Sequence, residues 1–194
     1  MLGLKLPTDP RWVNLAEKQI SEVLIDHAFC EQKAATSCIT LIQSYPDKKE
    51  LVKRLTPVVT EEWEHFRMVL QKLEEYGVPL GFQRKDEYVN GLLKFERKGG
   101  SRESRLVERL LTCALIEARS CERFRLLSQE LRDEELRKFY HGLMASEAGH
   151  YRMFLDLAIL YGEGREQVMA RWDEFLKYEA ELLASMTPRG DRVH

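Results

Sequence analysis

The positions of apolar residues repeat every three or four residues over most of the chain, which is the period of an α-helix. A first run starts after Asp9, in front of a proline, and ends at Pro46. A second run starts after Asp47, its predicted cap, and stops at Gly77. The first 77 residues are therefore predicted to form two long amphipathic helices.

Pro57 lies inside the second run, where its missing N–H would interrupt the hydrogen bonds of a helix. We expect the helix to kink there or to restart with Thr56 as its cap. The apolar spacing stays at three or four residues on both sides of the proline, so one face remains apolar in either case.

Glycines, a proline and charged residues interrupt the pattern after Gly77, and the helical period returns near Ser101. Inside the interruption, residues 86–95 are predicted to form a short helix. Two long helices are predicted next, one capped by Ser101 and one that starts near Asp133. They are followed by a fifth helix at residues 165–186 and an irregular tail at residues 187–194.

No strand pattern of useful length occurs, so the fold class is predicted to be all-α. Four long amphipathic helices pack most simply as an antiparallel bundle. The connection of about 25 residues between the second and third helices is long enough to run the length of the bundle. We therefore predict a ferritin-like four-helix bundle with this long crossover and an additional C-terminal helix, as a single domain over residues 1–194.

Charged residues interrupt each of the four apolar stripes at mid-helix. Two of these interruptions are Glu-x-x-His, and residues three apart lie on the same face of a helix. Burying a carboxylate or an imidazole costs free energy unless a partner compensates for it. The six residues are Glu31, Glu62, His65, Glu117, Glu147 and His150.

The spacing of these residues repeats along the chain. Glu62 follows Glu31 by 31 residues, and Glu147 follows Glu117 by 30. Each predicted hairpin thus donates one Glu and one Glu-x-x-His, which is the ligand set of ferritin-like di-iron and di-manganese proteins. Four carboxylates also balance two divalent cations. The alternatives are a buried polar network without a metal and a register in which these residues face solvent.

Four segments also resemble a known family: "DHAFCEQKAA" (26–35), "EEWEHF" (61–66), "LIEARSCERF" (115–124) and "FYHGLMASEAGHY" (139–151). They resemble the MiaE family, the tRNA 2-methylthio-N6-isopentenyladenosine hydroxylases. The resemblance implies a non-haem di-iron monooxygenase, with two Fe or with Mn in one site. Such an enzyme uses O₂ and an external electron donor to hydroxylate the isopentenyl group of an adenosine next to the anticodon in tRNA.

The resemblance also implies roles for the six residues. Glu31 and His65 would be terminal ligands of one metal and Glu117 and His150 of the other, while the remaining two glutamates would bridge. Gly149 departs from the family pattern, where a larger and often basic residue is expected before the second ligand histidine. No substrate contact is therefore expected from this position. His27, one turn before Glu31, is open to a supporting role or to simple packing.

A tRNA substrate needs contacts to its phosphates, and the crossover carries a surplus of basic residues. Residues 84–109 hold eight basic and five acidic residues. Tyr88 and Phe95 lie among them and could stack on bases. An ordinary solvated crossover would look the same. The basic residues predicted to contact the tRNA anticodon stem-loop are Lys94, Arg97, Lys98, Arg102 and Arg105, with Arg119, Arg123 and Arg152 as further candidates that ion pairs with neighbours such as Glu122 explain equally well.

Composition adds limits rather than a function. The net charge of −2 excludes a protein that binds polyanions with its whole surface. The four cysteines lack metal-site or redox spacing, and no apolar run is long enough to cross a membrane, so we expect reduced thiols and a cytoplasmic location. The sequence leaves the oligomeric state open between monomer and dimer.

Three competing functions remain open at this stage. A rubrerythrin-like peroxide scavenger usually carries paired Cys-x-x-Cys motifs, which this chain lacks. Iron storage would require assembly into a cage, and a helical interaction module would bind no metal. The alternative to a tRNA hydroxylase is therefore a ferritin-like di-iron protein that handles O₂ or peroxide or stores iron.

Overall fold

A computed structural model of the protein describes residues 2–187 and 189–193, which form seven α-helices and no β-strand. The predicted all-α class is confirmed. No helix in this part of the chain is both long and apolar enough to span a bilayer. The helices are α1 (Trp12–Lys18), α2 (Ile20–Ser44), α3 (Lys49–Glu75), α4 (Glu87–Phe95), α5 (Arg102–Glu130), α6 (Glu134–Tyr161) and α7 (Arg165–Ser185).

The chain divides into two compact units. One contains residues 2–13 and 86–187, and the other contains residues 14–85 and 189–193. The prediction of a single domain over residues 1–194 stays a prediction, and residues 1, 188 and 194 lie outside the described residues.

A helical hairpin forms the unit of residues 14–85. Four residues join α2 to α3, a connection short enough to make the helices antiparallel neighbours, and the two helices pack against each other. Four apolar residues of the hairpin are fully buried, Leu24 and Ala28 on α2 and Leu51 and Leu55 on α3.

The C-terminal segment is tied to α2 within this unit. Arg192 donates to Asp26 Oδ1 at 2.6 Å, and the backbone N–H of Val193 donates to Asp26 Oδ2 at 2.8 Å. Arg84 donates to Glu22 Oε2 and to Asp191 Oδ2, both at 2.9 Å. The predicted absence of a helix in the tail is confirmed for its described residues.

The other unit is built on α5 and α6, which are joined by residues 131–133 and pack along each other. Helix α7 packs against α4, α5 and α6. Helix α5 is buried around most of its circumference. The buried positions include charged residues, which an amphipathic helix would expose on its polar face. It is therefore the central element of this unit.

The predicted helix starts are correct at three positions. Ser101 Oγ accepts from the N–H of Ser104 at 3.0 Å, and Asp133 Oδ1 accepts from two N–H groups of the first turn of α6. Asp86 caps α4 by accepting from the N–H of Val89 at 2.9 Å. In each case the side chain takes a donor that the first turn of a helix leaves unpaired.

Two other boundaries were predicted wrongly. The first long helix is interrupted at Gln19, whose φ of −129° and ψ of 32° lie outside the helical region, so α1 and α2 are separate. The second long helix has Lys48 at its cap position instead of Asp47, and no side chain caps it. The apolar period continues through Gln19, so it does not reveal that break. At the second boundary the apolar period does not distinguish Asp47 from Lys48 as the cap position.

The helix α3 also continues through Pro57, so the predicted restart is wrong. Thr56 is not a cap, because its Oγ1 donates to the carbonyl of Val52 at 2.7 Å, as threonines inside a helix do. Pro57 lies on the exposed side of α3, where water can replace the lost hydrogen bond.

Buried charges hold α5, α7 and the N-terminal segment together. Arg119 is fully buried and makes a two-pronged contact with Glu179, Nε to Oε1 at 2.8 Å and Nη2 to Oε2 at 2.9 Å. It also donates to Glu122, to Thr8 Oγ1 at 3.1 Å and to the carbonyl of Leu6 at 2.9 Å. Since a guanidinium has five N–H donors, this one side chain connects three parts of the unit.

We expect Arg119→Met to lower the free energy of unfolding by about 3–5 kcal/mol, because it leaves Glu179 buried without its cation. Urea unfolding of the metal-free protein followed by circular dichroism measures the loss. Lys177→Met is the matched control on the same helix as Glu179, since Lys177 pairs with Asp173 in solvent and should change the stability little. Equal stability of the two variants would contradict a structural role for the Arg119 network.

Candidate metal centre

The hairpin of α2 and α3 carries three of the six predicted metal ligands. Glu31 lies in the middle of α2, and Glu62 and His65 lie one turn apart on α3. All three side chains are buried, with exposed fractions of 4%, 1% and 9%. The prediction that these charged residues point inward is confirmed for this hairpin.

Their polar atoms lie close together. His65 Nδ1 is 3.4 Å from Glu31 Oε2 and 3.7 Å from Glu62 Oε2. One ligand atom from each of the three residues lies within 4.8 Å of the other two. We call Glu31, Glu62 and His65 the first triad.

The electrostatics of the first triad keep the Glu31 carboxylate ionised. Burial raises the pKa of Glu31, but the hydrogen bonds from His27 and His65 outweigh it, and the pKa lies below its ordinary value. Burial lowers the pKa of His65, and Glu31 and Glu62 more than reverse this, raising the pKa to about 10. Since metals bind carboxylates in the ionised form, Glu31 is in the state that accepts a cation.

The hairpin of α5 and α6 repeats the arrangement. Glu117 on α5 and Glu147 and His150 on α6 are buried, and one ligand atom from each lies within 4.8 Å of the other two. Ser146 Oγ is 3.5 Å from His150 Nε2, at the outer limit of a hydrogen bond. We call Glu117, Glu147 and His150 the second triad.

Each triad fits a divalent cation. Ligand atoms about 2.0–2.2 Å from one ion are at most about 4.4 Å apart, so a spread of 4.8 Å needs only a small contraction. Two carboxylates and one imidazole balance a charge of +2, and the absence of a thiolate from the triads favours iron or manganese over structural zinc. The convergence of both triads on one pair of metals stays a prediction.

His27 has a defined partner next to the first triad. It is completely buried on α2, and its Nε2 lies 2.5 Å from Glu31 Oε1. The spacing of four residues puts both side chains on the same face of the helix, which is the signal in the sequence for this pair.

The five basic residues predicted to contact tRNA are all exposed. Arg97 pairs with Glu174 at 3.0 Å, Lys98 with Glu96 at 3.3 Å, and Arg105 donates to the carbonyl of Gly100. They extend from the last turn of α4 to the first turn of α5, and contact with RNA stays a prediction. The five are Lys94, Arg97, Lys98, Arg102 and Arg105.

Three other residues predicted as RNA contacts are in the protein interior, and a fourth, Phe95, is half-buried. Tyr88 is buried and donates to Glu179 Oε1 at 3.3 Å, and Phe95 stacks on Tyr178 with ring centroids 4.1 Å apart. Arg119 and Arg123 are buried as well. The predictions for Tyr88, Arg119 and Arg123 were wrong, because a buried side chain cannot reach a base or a phosphate. Tyr88 and Arg119 contact Glu179 on α7, a partner far along the chain. Base stacking by Phe95 stays a prediction. Arg152 is exposed and stays a candidate.

Comparison with solved structures confirms the fold class. The protein is similar to "Protein 43 with aldehyde deformylating oxygenase activity" from Synechococcus, with a TM-score of 0.91 and 35% sequence identity over 98% of this chain and 94% of that one. The fold is ferritin-like, as the four amphipathic stripes and the long crossover predicted.

Comparison with curated sequences identifies relatives of similar length. A Pseudomonas putida protein named tRNA 2-(methylsulfanyl)-N(6)-isopentenyladenosine(37) hydroxylase is 40% identical over 94% of this chain and 87% of its own. A Salmonella typhimurium protein of the same name is 28% identical over 94% of this chain and 84% of its own. The model of the family described as MiaE, tRNA-(MS[2]IO[6]A)-hydroxylase, matches residues 2–194. With both triads in place on this fold, the chain belongs to the MiaE family.

Proposed function

We propose that the protein is a di-iron monooxygenase that hydroxylates the isopentenyl side chain of N6-isopentenyladenosine, with or without its 2-methylthio group, next to the anticodon of tRNA. The observation that carries the proposal is the match of the MiaE family model to residues 2–194, in a chain that buries two Glu, Glu, His triads. The names of the two curated hydroxylases support the same substrate.

The two triads together would hold a pair of iron ions. Glu31 and His65 would be terminal ligands of one ion, and Glu117 and His150 of the other. The remaining carboxylates, Glu62 and Glu147, would bridge the ions. Four carboxylates and two divalent cations sum to zero, so assembly of the centre removes a charge that is costly to bury. Manganese in one position satisfies the same ligands.

The bound metals would supply the activation of O₂ that hydroxylating an unactivated carbon requires, with electrons from an external donor. The chain would hold the ligands in position and exclude water from the reacting carbon. Phe66, Ala114 and Phe154 are buried apolar residues close in sequence to the ligands, and they would suit a prenyl group. We expect the enzyme to act in the cytoplasm, where its tRNA substrate and reductants are present.

The basic segment between α4 and α5 would bind the tRNA backbone. Over residues 94–105, five basic residues against Glu96 and Glu103 give a local charge of +3 in a chain whose net charge is −2. Because the five are exposed, phosphates can reach them. Their ion pairs with carboxylates are exposed on the basic side and contribute little, so phosphate can compete for the same groups.

A second candidate function is oxygenation of an aldehyde. It is favoured by one observation, the 35% identity and TM-score of 0.91 to a protein with aldehyde deformylating oxygenase activity. The tRNA hydroxylase is preferred because the family model and the 40% identical relative agree on it. Iron storage and peroxide removal, which the sequence left open, have no such support.

The metal centre predicts a sharp difference between two neighbouring glutamates. Glu62→Gln removes the charge of a bridging ligand with almost no change in volume, and we expect the bound iron to fall from two ions per chain to nearly none. Glu61→Gln is the matched control, because Glu61 is exposed on the same turn of α3 and should keep both ions. Anaerobic loading with Fe(II), desalting and elemental analysis give the content. Full occupancy in Glu62→Gln would contradict the assignment.

RNA binding by the basic segment can be tested through its salt dependence. The triple variant Lys98→Ser, Arg102→Ser, Arg105→Ser removes three phosphate contacts, so the slope of log K against log salt should become shallower by about 2. Fluorescence anisotropy with an anticodon stem-loop measures the slope. Lys18, Lys53 and Lys177 are exposed cations outside the segment, and changing these three to serine is the charge-matched control. An equal effect in both triple variants would remove the proposed contact surface.

The substrate itself is tested by mass spectrometry of nucleosides from bulk tRNA. Deleting the gene should abolish the hydroxylated prenyl-adenosine and leave the unhydroxylated precursor in its place. The wild-type gene should restore the product, and the Glu62→Gln gene should not. If the nucleosides are unchanged by the deletion while the purified protein oxygenates an aldehyde, the second candidate function replaces the first.

A further inference from the structure

His27 is the one histidine outside the two triads that touches a predicted ligand, among the contacts described. Its side chain has no exposed surface, and its Nε2 lies 2.5 Å from Glu31 Oε1. An ionised carboxylate only accepts hydrogen bonds, so the imidazole Nε2 is the donor in this pair. A donor held this close to a carboxylate restricts what that carboxylate can do.

The two oxygens of Glu31 have different surroundings. Oε1 receives the hydrogen bond from His27, whereas Oε2 lies 3.4 Å from His65 Nδ1, the predicted ligand on α3. A free carboxylate can bind a cation through one oxygen or through both. In Glu31 the pair with His27 occupies one oxygen and leaves the other on the side of the triad.

We propose that His27 is a positioning residue, which fixes Glu31 so that it binds its metal through Oε2 alone. The proposal rests on the metal centre of the proposed function, and it goes further by assigning a role to a residue outside the ligand set. Histidine on a carboxylate ligand is suited to this task, because it is rigid and donates a single hydrogen bond in a fixed direction.

The second hairpin has a different side chain at the equivalent position. Four residues before Glu117, where the repeat would place a counterpart of His27, the chain carries Cys113. A thiol is a weak donor, so it cannot restrict Glu117 as the imidazole restricts Glu31. The imidazole donor of the first hairpin therefore has no counterpart at this position of the second hairpin, and the surroundings of the two predicted metal positions differ here.

Direct ligation by His27 is the competing role. An Nε2 that donates its proton to Glu31 cannot give a lone pair to a metal at the same time. Two residues four apart on one helix can nevertheless bind the same ion, as in helical zinc sites. A glutamine at this position separates the two roles. It donates a similar N–H, so it can replace a positioning histidine, but it is a poor metal ligand and cannot replace a ligand histidine.

The test compares two substitutions of His27. His27→Phe keeps a ring of similar size and removes the donor, whereas His27→Gln keeps an N–H donor. Anaerobic titration of the metal-free proteins with Co(II), followed by absorption spectroscopy, gives the number of sites and their affinities. We expect His27→Phe to weaken one of the two sites by about 10–100-fold. His27→Gln should recover most of that loss.

Cys113→Ala is the matched control at the equivalent position of the other hairpin, and it should keep both affinities within a few-fold of the wild type. Circular dichroism of the metal-free variants checks that each is folded. Wild-type affinities in folded His27→Phe would overturn the proposal and leave His27 as a packing residue.

Two further outcomes would also overturn the proposal, and they are distinguishable. If His27→Gln binds as weakly as His27→Phe and X-ray absorption of the cobalt protein shows one nitrogen ligand fewer, His27 is a ligand. If the wild type binds no metal at all, the proposed function fails together with this inference. If the wild type binds metal and only the His27 variants lose affinity, the result bears on the positioning role alone.

Discussion

The cost of burying carboxylates is the constraint on which the rest of the structure depends. Each hairpin brings two glutamates and one histidine to a spread of 4.8 Å inside a helical core. Two negative charges at this distance, with little water around them, repel each other strongly. In the first triad, part of the charge is compensated by His65, whose pKa of about 10 keeps it protonated. A divalent cation compensates the whole charge, which is why we infer that the helices are arranged to receive one.

The protein treats its other buried carboxylates differently. Glu179 faces Arg119 through two hydrogen bonds, and Glu108 faces Arg171 in the same way at 2.8 Å and 2.7 Å. An arginine fork satisfies a carboxylate permanently and leaves it no capacity for a metal. In the triads the nitrogen donors are histidines, which can exchange a proton for a metal ion. The partner of a buried carboxylate therefore indicates its role. A carboxylate paired with arginine is structural, and one paired with histidine is available to a metal.

Much of this was predictable from the sequence, because helix faces and the Glu-x-x-His motifs are local patterns. The burial of Glu31, Glu62 and His65 follows from spacing alone. The cap at Ser101 and the start of a helix near Asp133 are likewise local signals. The interior positions of Tyr88 and Arg119 could not be predicted in the same way. Both contact Glu179, which lies 91 residues after Tyr88 and 60 after Arg119. A charged or aromatic residue on a helix is read as a surface residue until its partner is known.

The relation between fold and substrate limits what the triads can explain. A protein 35% identical to this one has aldehyde deformylating oxygenase activity, while a 40% identical relative is named as a tRNA hydroxylase. Since metal ligands of this type suit both chemistries, the choice of substrate must come from residues outside the ligand set. The basic segment of residues 94–105 has the charge that an RNA substrate would require, and an aldehyde would not. The difference between His27 and Cys113 concerns the metals and not the substrate. It would distinguish the two metals from each other whichever substrate is bound.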